Sequence, residues 1–548
     1  MAGEFAASRK GFRVANADLS AVSTFPVSKT FTGRWWTLLP FLLIALLGLP
    51  TLLYPYGRDQ AMFAYVGTVW RQGGLPYRDA WDVKLPGIYA VYALVGEPEW
   101  GPRLLDLFAV ALAAGALIRI GRYSVREGDT RANVGLLAAV LGVLYSLGAC
   151  DFWNLAQTET LIAPLFAASV ALGLSRRPLA AGFLAGSAAM IKTTAVISII
   201  PVIVCCCLPP MSPAQAPVEA VPQSGSTIRR DLLLVVLGWI VPLALVLAYF
   251  AARGGLPYLG ELVATQREYA AGDPRLSGRS PLALIGGLGL TGYLPLVIAS
   301  CAGVCMALAR QLRPGSGRHG SREVVMLAWW GIALAQVIVQ RRFYLYHWAV
   351  LTPPAAWFAA RMLVDVWQRR PAGVVRRAVI VGVGMAALLV ALAPRWPSWR
   401  WAGAVMAGSM TVPEFRGRHT GVFGYDVRFA RQAATHVRCN SAPADPLLVL
   451  AFEPEVYLYS ERRAPTRHAS EAPLFGETSI REARRRAWFA ELMSDLRRRP
   501  PLYVVDRDVP HVRPDWSRPL FAWMERDYRL EATYGPFRVY RRVVEPRG

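Results

Sequence analysis

Residues Trp35–Tyr54 read WWTLLPFLLIALLGLPTLLY, twenty positions without a charge, and run straight into Tyr54-Pro-Tyr-Gly-Arg-Asp-Gln60. A run of this length is what it takes to cross about 30 Å of hydrocarbon. The basic residues Arg9, Lys10, Arg13, Lys29 and Arg34 precede it. Lys and Arg collect on the cytoplasmic flank of a span, so this one is expected to enter from the cytoplasm. Residues 1–34 read as a cytoplasmic leader, too long and polar for a cleaved signal peptide. The stretch 55–100 then lies outside. It carries Asp59, Asp79, Asp82 and Lys84, and charges beside a span are costly without a purpose.

Working outward, apolar runs of similar length recur to position 394. The chain has 548 residues, 54% of them hydrophobic and 18% charged, which excludes a soluble class and leaves a polytopic membrane protein. The net charge of +23 raises nucleic-acid binding, but blocks of Arg between spans follow from the charge rule for cytoplasmic loops. The seven cysteines have no metal or disulfide spacing.

The run 179–208 decides the topology. As one span it would leave Arg229 and Arg230 outside, against the charge rule. As two short spans turning at Lys192-Thr-Thr it restores agreement in every later loop and brings Lys192 to the outer side. With that split the chain is expected to be an α-helical polytopic membrane protein of about eleven transmembrane helices, spanning residues 35–394. A linker at about 209–227, rich in Pro, Ser and Gln, is expected on the cytoplasmic side. Residues 395–548 change character: the apolar runs Leu447-Leu-Val-Leu-Ala-Phe and Leu502-Tyr-Val-Val-Asp flank a charged helical run at 479–498, and Phe537-Arg-Val-Tyr-Arg-Arg closes the chain. Strands alternating with a helix predict a C-terminal extracytoplasmic α/β domain.

Within the opening loop, Asp59 to Trp70 is expected to be helical, lying against the interface, with Gly73-Gly74 as its stop. Under this topology four charged groups share the outer face: the opening loop, Asp151 with Glu159, Lys192, and Arg341-Arg342 with Tyr346 and His347. Acids and cations on one face suit transfer from an anionic lipid carrier. Fixed cations stabilise a leaving phosphate as it gains charge, and a carboxylate can take the proton of an attacking hydroxyl. Inversion follows when base and phosphate sit on opposite faces of the sugar.

Tyr56-Gly-Arg-Asp-Gln-Ala-Met-Phe-Ala-Tyr, followed by Gly73-Gly-Leu-Pro-Tyr-Arg-Asp-Ala-Trp-Asp-Val-Lys-Leu-Pro-Gly, resembles the opening loop of bacterial GT-C glycosyltransferases, relatives of the protein O-mannosyltransferases and of the lipid A aminoarabinose transferase. Gln157-Thr-Glu-Thr-Leu, Gly186-Ser-Ala-Ala-Met-Ile-Lys-Thr-Thr, Arg342-Phe-Tyr-Leu-Tyr-His-Trp and Glu453-Pro-Glu-Val-Tyr-Leu-Tyr-Ser extend the resemblance along most of the chain. It implies a polyprenyl-phosphate-linked sugar donor, an acceptor that is an envelope glycan, lipid or protein, and a multi-pass protein of the bacterial inner membrane with its active site extracytoplasmic. It also implies Asp59 as catalytic base, Lys84 as the loop lysine, and Lys192, Arg341 and His347 as phosphate contacts, with Asp82, Glu159, Arg342 and Tyr346 lining the substrate site. Several relatives carry Asp-Glu where this chain has Asp59-Gln60, which weakens any inference of a divalent cation without excluding one.

Blander readings stand beside these. Asp59 could be a helix N-cap, Asp82 and Lys84 a surface pair of small worth, and Lys192 a snorkelling lysine. Glu159 could be an ordinary first-turn acid. A transporter or flippase for a lipid-linked or anionic solute is the rival function. It predicts charges at mid-membrane depth and related halves, and the sequence shows no internal repeat.

Overall fold

The structure is a computed structural model that describes residues 34–124, 130–208, 225–270, 292–312, 320–368, 374–421, 424–476, 478–507 and 513–543. The leader, most of the 209–227 linker, Arg126 and Asp273-Pro-Arg lie outside the described residues.

The first apolar run is helical throughout, with 3-10 turns at Arg34–Leu38 and Leu49–Leu53 flanking α1 (Leu39–Gly48). The opening loop holds α2 (Arg58–Arg71) and α3 (Pro86–Val95). After α2 the chain turns at Gly73, whose φ of +90° suits a residue without a Cβ. The bundle continues through α4 (Trp100–Ser124), α5 (Thr130–Gly148), α6 (Thr158–Leu174), α7 (Pro178–Ile191), α8 (Ile199–Cys206) and α9 (Gly225–Ala252). It is completed by α10 (Leu256–Ala270), α11 (Leu294–Gln311), α12 (Gly320–Val339), α13 (Thr352–Gln368) and α14 (Val374–Leu392). Among the described residues, four helices are long and apolar enough to cross a membrane: Trp35–Leu53, Trp100–Tyr123, Gly225–Ala252 and Leu294–Gln311. The other apolar helices are shorter or less apolar, so length and composition support four of the eleven expected crossings.

The run 179–208 folds back on itself. The helix α7 ends at Lys192, which is extended (φ −148°, ψ 134°), a 3-10 turn covers Thr193–Ser198, and α8 returns. Arg176, just before α7, donates to the carbonyls of Cys206 and Leu208 at the far end of the run. Both ends therefore lie at one level and Lys192 at the other. The hairpin is seated by close backbone packing. A Cβ on Gly182 would fall 2.1 Å from the Val235 carbonyl oxygen, and one on Gly186 2.3 Å from that of Trp239 on α9. Small residues four apart make such helix contacts where lipid offers no hydrophobic drive.

The tail is an α/β unit built on a mixed sheet of order β1-β2-β4-β3. Strand β1 (Leu447–Leu450) pairs parallel with β2 (Tyr503–Arg507), while β3 (Tyr528–Tyr534) and β4 (Phe537–Arg542) join antiparallel. Helices α15 (Val427–Cys439), α16 (Glu455–Ser460), α17 (Glu482–Arg498) and α18 (Arg518–Asp527) surround it, with α16 and α17 inside the β1–β2 crossover. Every residue of β1 and β2 is buried, as central parallel strands require. The edge strand β3 exposes most of its residues and carries a bulge between Leu530 and Ala532.

This unit grips the opening loop. The Ala464 amide donates to Tyr65 Oη at 3.0 Å, the Trp81 amide to the Arg467 carbonyl at 2.8 Å, and Tyr425 Oη to the Tyr56 carbonyl at 2.5 Å. Glu99 accepts from Arg431 and Tyr459 and pairs with Arg416. Tail and opening loop are one packed body at one end of the bundle.

Candidate functional site

Asp59 is the second residue of α2, whose N-cap is Gly57. The cap position is thus already taken. Gln60 completes the cap, its Oε1 accepting from the Gly57 amide at 2.8 Å, while its Nε2 donates to the carbonyls of Phe152 (2.8 Å) and Leu155 (2.5 Å). Arg103 on α4 donates to Gln60 Oε1 at 2.6 Å and to the Pro55 carbonyl at 2.7 Å. A glutamate at 60 could accept but not donate, so the amide is what pins α2 to the 152–155 turn. On the other side Arg58 pairs with Glu453 of the tail, and Glu453 also accepts from Arg507 at 2.7 Å. Asp59 stands between two anchored neighbours, yet among the described residues its own carboxylate has no hydrogen bond or ion pair.

The segment 77–84 is held on several sides. Tyr77 Oη donates to the Lys84 carbonyl at 2.8 Å, the Lys84 amide donates to Tyr89 Oη at 3.1 Å, and Tyr89 Oη donates to Asp82 Oδ2 at 2.8 Å. Gln266 of α10 donates to the Val83 carbonyl at 2.8 Å. The Lys84 ammonium forms no ion pair among the described residues. It lies 6.0 Å from the centre of the Tyr269 ring.

A third wall comes from the bundle. Glu159, in the first turn of α6, is fully buried and accepts from Thr158 Oγ1 at 2.6 Å. It pairs with Lys192, whose Nζ also donates to Gln340 Oε1 at 2.6 Å. His347 Nε2 stands 3.6 Å from Glu159 Oε1, and its Nδ1 is buried without a partner among the described residues. Tyr346 packs edge-on to His347 with ring centres 4.7 Å apart. The Arg342 guanidinium lies 4.2 Å over the Tyr269 ring. Arg341 is exposed, in a left-handed conformation with φ +54°, and no contact joins it to this group.

These walls face one another. Asp59 is within electrostatic reach of Lys84, Asp82 and Glu159, and Lys192 within reach of Lys84 and Asp59. Burial pushes the Asp59 carboxyl above its ordinary 3.8; Lys84 works against that shift, and Asp82 and Glu159 add to it. Burial opposes the Lys84 charge, but Tyr269, Asp59, Asp82 and Glu159 outweigh it and hold the ammonium above its ordinary value. Asp59, Asp82, Lys84, Glu159, Lys192, Arg342, Tyr346 and His347 therefore lie in one neighbourhood, and Arg341 makes no contact with it among the described residues. Tyr269, Gln266 and Gln340 complete the site. The first two lie one turn apart on α10, in a segment the sequence marks only as an outer loop. No three His, Cys, Asp or Glu side chains converge to hold a metal among the described residues.

No protein-family model and no curated protein sequence matches the chain. Among solved structures it is similar to ArnT from Cupriavidus metallidurans bound to undecaprenyl phosphate, with 14% identity over 92% of this chain and 97% of that one and a TM-score of 0.49. It is also similar to the oligosaccharyltransferase AglB from Archaeoglobus fulgidus in complex with an inhibitory peptide and a dolichol-phosphate (11% identity, 87% and 70% covered, TM-score 0.41). A further likeness is to the arabinofuranosyltransferase AftD from Mycobacteria (13% identity, 94% and 42% covered, TM-score 0.45). All three are glycosyltransferases of the GT-C superfamily.

Proposed function

We propose that the protein is an inverting glycosyltransferase that moves a sugar from a polyprenyl-phosphate carrier to an acceptor outside the cytoplasm. The observation that carries this reading is the Asp59 carboxylate within electrostatic reach of the Lys84 ammonium, neither of them in an ion pair among the described residues, with Lys192 and Arg342 in the same neighbourhood. An acid raised by burial is a strong base once ionised, and a cation without a fixed counter-ion is available to an incoming phosphate.

In the step, the acceptor hydroxyl oxygen attacks the anomeric carbon and its proton passes to Asp59. The bond between that carbon and the phosphate oxygen breaks, and the electron pair stays on the phosphate, whose added charge is met by Lys84 and Arg342. Lys192 has three N–H donors. Glu159 and Gln340 take two of them, which orients the third. Asp82, fixed by Tyr89, orients sugar hydroxyls or Lys84, and His347 buttresses Glu159. The opposite ends of the helices carry Arg119, Arg122, Arg176, Arg177 and Arg310, the pattern of a cytoplasmic face, which supports a reading with the site and the tail on the extracytoplasmic side of a bacterial inner membrane.

The test is reconstitution in proteoliposomes with a panel of polyprenyl-phosphate-linked sugars, following release of polyprenyl phosphate. Wild type should release it, and Lys84→Met should bind the carrier more weakly and slow release by about 10²-fold or more, the scale of one lost transition-state charge contact. Unchanged binding and rate in Lys84→Met would overturn the reading.

A further inference from the structure

A pocket of about 470 Å³ opens between α10 and α17, outside the site described above. Five of its eight lining residues are charged, Glu261, Arg467, Arg481, Arg484 and Glu491, beside the indole of Trp488, Ala483 and Ala487. Pockets for apolar ligands of this size are lined mainly by aliphatic and aromatic side chains, and here an acyl chain would meet only the two alanines and the indole among five charged groups. The floor is rigid. The Arg467 side chain is 8% exposed and donates to both oxygens of Glu261 (2.8 and 2.9 Å) and both of Glu491 (2.7 and 2.9 Å). Trp488 Nε1 donates to Glu261 Oε1 at 2.6 Å, and its ring packs on Trp81 with centres 4.4 Å apart.

At the rim, Arg481 and Arg484 both bind Glu268. Burial opposes the Glu268 charge, but hydrogen bonds from Arg484 and Arg481 outweigh it and bring its carboxyl down to about 2. Three arginines thus face three glutamates, which leaves the pocket without the net positive charge a phosphate would need. Arg481 spends only its Nε and Arg484 only its Nε and Nη2 on Glu268, so guanidinium donors remain for a ligand. Fixed donors and acceptors in alternation, beside an indole and without net charge, match a neutral polyhydroxyl chain.

The position links this pocket to the reaction. Arg467 also donates to the Tyr77 carbonyl at 3.0 Å, and Trp81 is the residue before Asp82, so the pocket lies against the segment that delivers Asp82 and Lys84. Along α10, Glu261 on the pocket and Gln266 on the Val83 carbonyl are five residues apart, about 7.5 Å, a gap that one oligosaccharide can bridge. The helix presents the two groups on faces about 140° apart, from its 3.6-residue turn.

We propose that this pocket seats the acceptor and that the acceptor is a carbohydrate chain rather than a polypeptide or a bare lipid. The proposal rests on the glycosyl-transfer reading. Ala487 is exposed on the pocket wall, so Ala487→Trp fills the pocket from solvent without entering the core, and Arg484→Ala removes a rim donor. Cells whose own copy is replaced by each variant are fractionated into envelope glycan, lipid and protein, and the sugar added to each is measured by mass. Stabilisation of the purified variants by undecaprenyl phosphate serves as the control for folding and donor binding.

The expected result is a product on a glycan that Ala487→Trp and Arg484→Ala each reduce at least tenfold, as Asp59→Asn also does, with undecaprenyl phosphate stabilisation as in wild type. Wild-type product from Ala487→Trp, or a product carried on polypeptide, would overturn the acceptor pocket while leaving the transfer reading intact. Wild-type product from Asp59→Asn would instead bring down the transfer reading on which the pocket rests.

Discussion

A methyl group on Gly87 would stand 2.5 Å from the carbonyl oxygen of Met190 and 2.7 Å from its carbonyl carbon, where ordinary contact begins near 3.4 Å. Both neighbours are backbone atoms, so no side chain can swing aside, and α3 and α7 must part by about 0.9 Å (3.4 less 2.5). Lys84 lies three residues before Gly87 and Lys192 two residues after Met190. The displacement therefore falls on the gap between the two lysines. Overpacking of this kind costs about 1–3 kcal/mol of stability, and a displacement near 1 Å at a reacting centre costs about 10²-fold in rate. Transfer kinetics in proteoliposomes should show Gly87→Ala folded, moderately destabilised, and about 10²-fold slower in kcat. Gly115→Ala is the control, because nothing lies within 4 Å of a Cβ there; it should be neutral. Wild-type kcat in Gly87→Ala, whatever its stability, would refute the claim that the distance between these elements sets the donor site.

Two other consequences follow from the same geometry. Arg58, Glu453 and Arg507 form a buried charge group, with side chains 6%, 1% and 6% exposed. Arg58→Met should destabilise the protein by about 3 kcal/mol, the low end for breaking a buried pair because Arg507 still faces Glu453, and adding Glu453→Gln in the same chain should destabilise it further by leaving Arg507 buried without its carboxylate; thermal unfolding in detergent measures both. The Asp59 carboxyl lies above 3.8 and acts as base only when ionised, so kcat/KM should fall as pH drops through its raised value. Lys84 pulls that value down, so Lys84→Met should move the acid limb of the pH profile to higher pH, and a downward movement would contradict the assignment.

Much of this architecture is legible in the sequence because its signals are local. The α2 helix shows in the phase of Phe63, Val66 and Trp70, and the buried strands in unbroken apolar runs. The hairpin at Lys192 follows from charge parity alone: Arg229 and Arg230 need an even number of crossings before them. What sequence hides depends on contacts far apart in the chain. Arg341 and Arg342 are equivalent as text, and only the left-handed turns at Arg341 and Phe343 decide that Arg342 faces the Tyr269 ring. Tyr269 and Gln266 reach the site through the docking of α10, which no local pattern announces. Strand β3 does carry a local signal, the alternation of Tyr528, Leu530, Ala532 and Tyr534 with Arg529, Glu531 and Thr533, which is the period of a strand. Gln60 reads as a departure from the Asp-Glu pair of the family that the opening loop resembles, until its amide is seen holding two carbonyls and the Gly57 amide at once. The number of crossings is the least legible feature. Helices as short as α7 and α8 are seated by glycine contacts to α9 and by neighbours, not by their own length.

The central claim is that Asp59 removes the acceptor proton, and Asp59→Asn tests it most directly. The change preserves shape and removes only the base. In proteoliposomes supplied with polyprenyl-phosphate-linked sugar and acceptor, the variant should still be stabilised by undecaprenyl phosphate while its transfer rate falls by about 10²–10⁴-fold, the usual contribution of a positioned base. Transfer by Asp59→Asn at the wild-type rate would contradict the account.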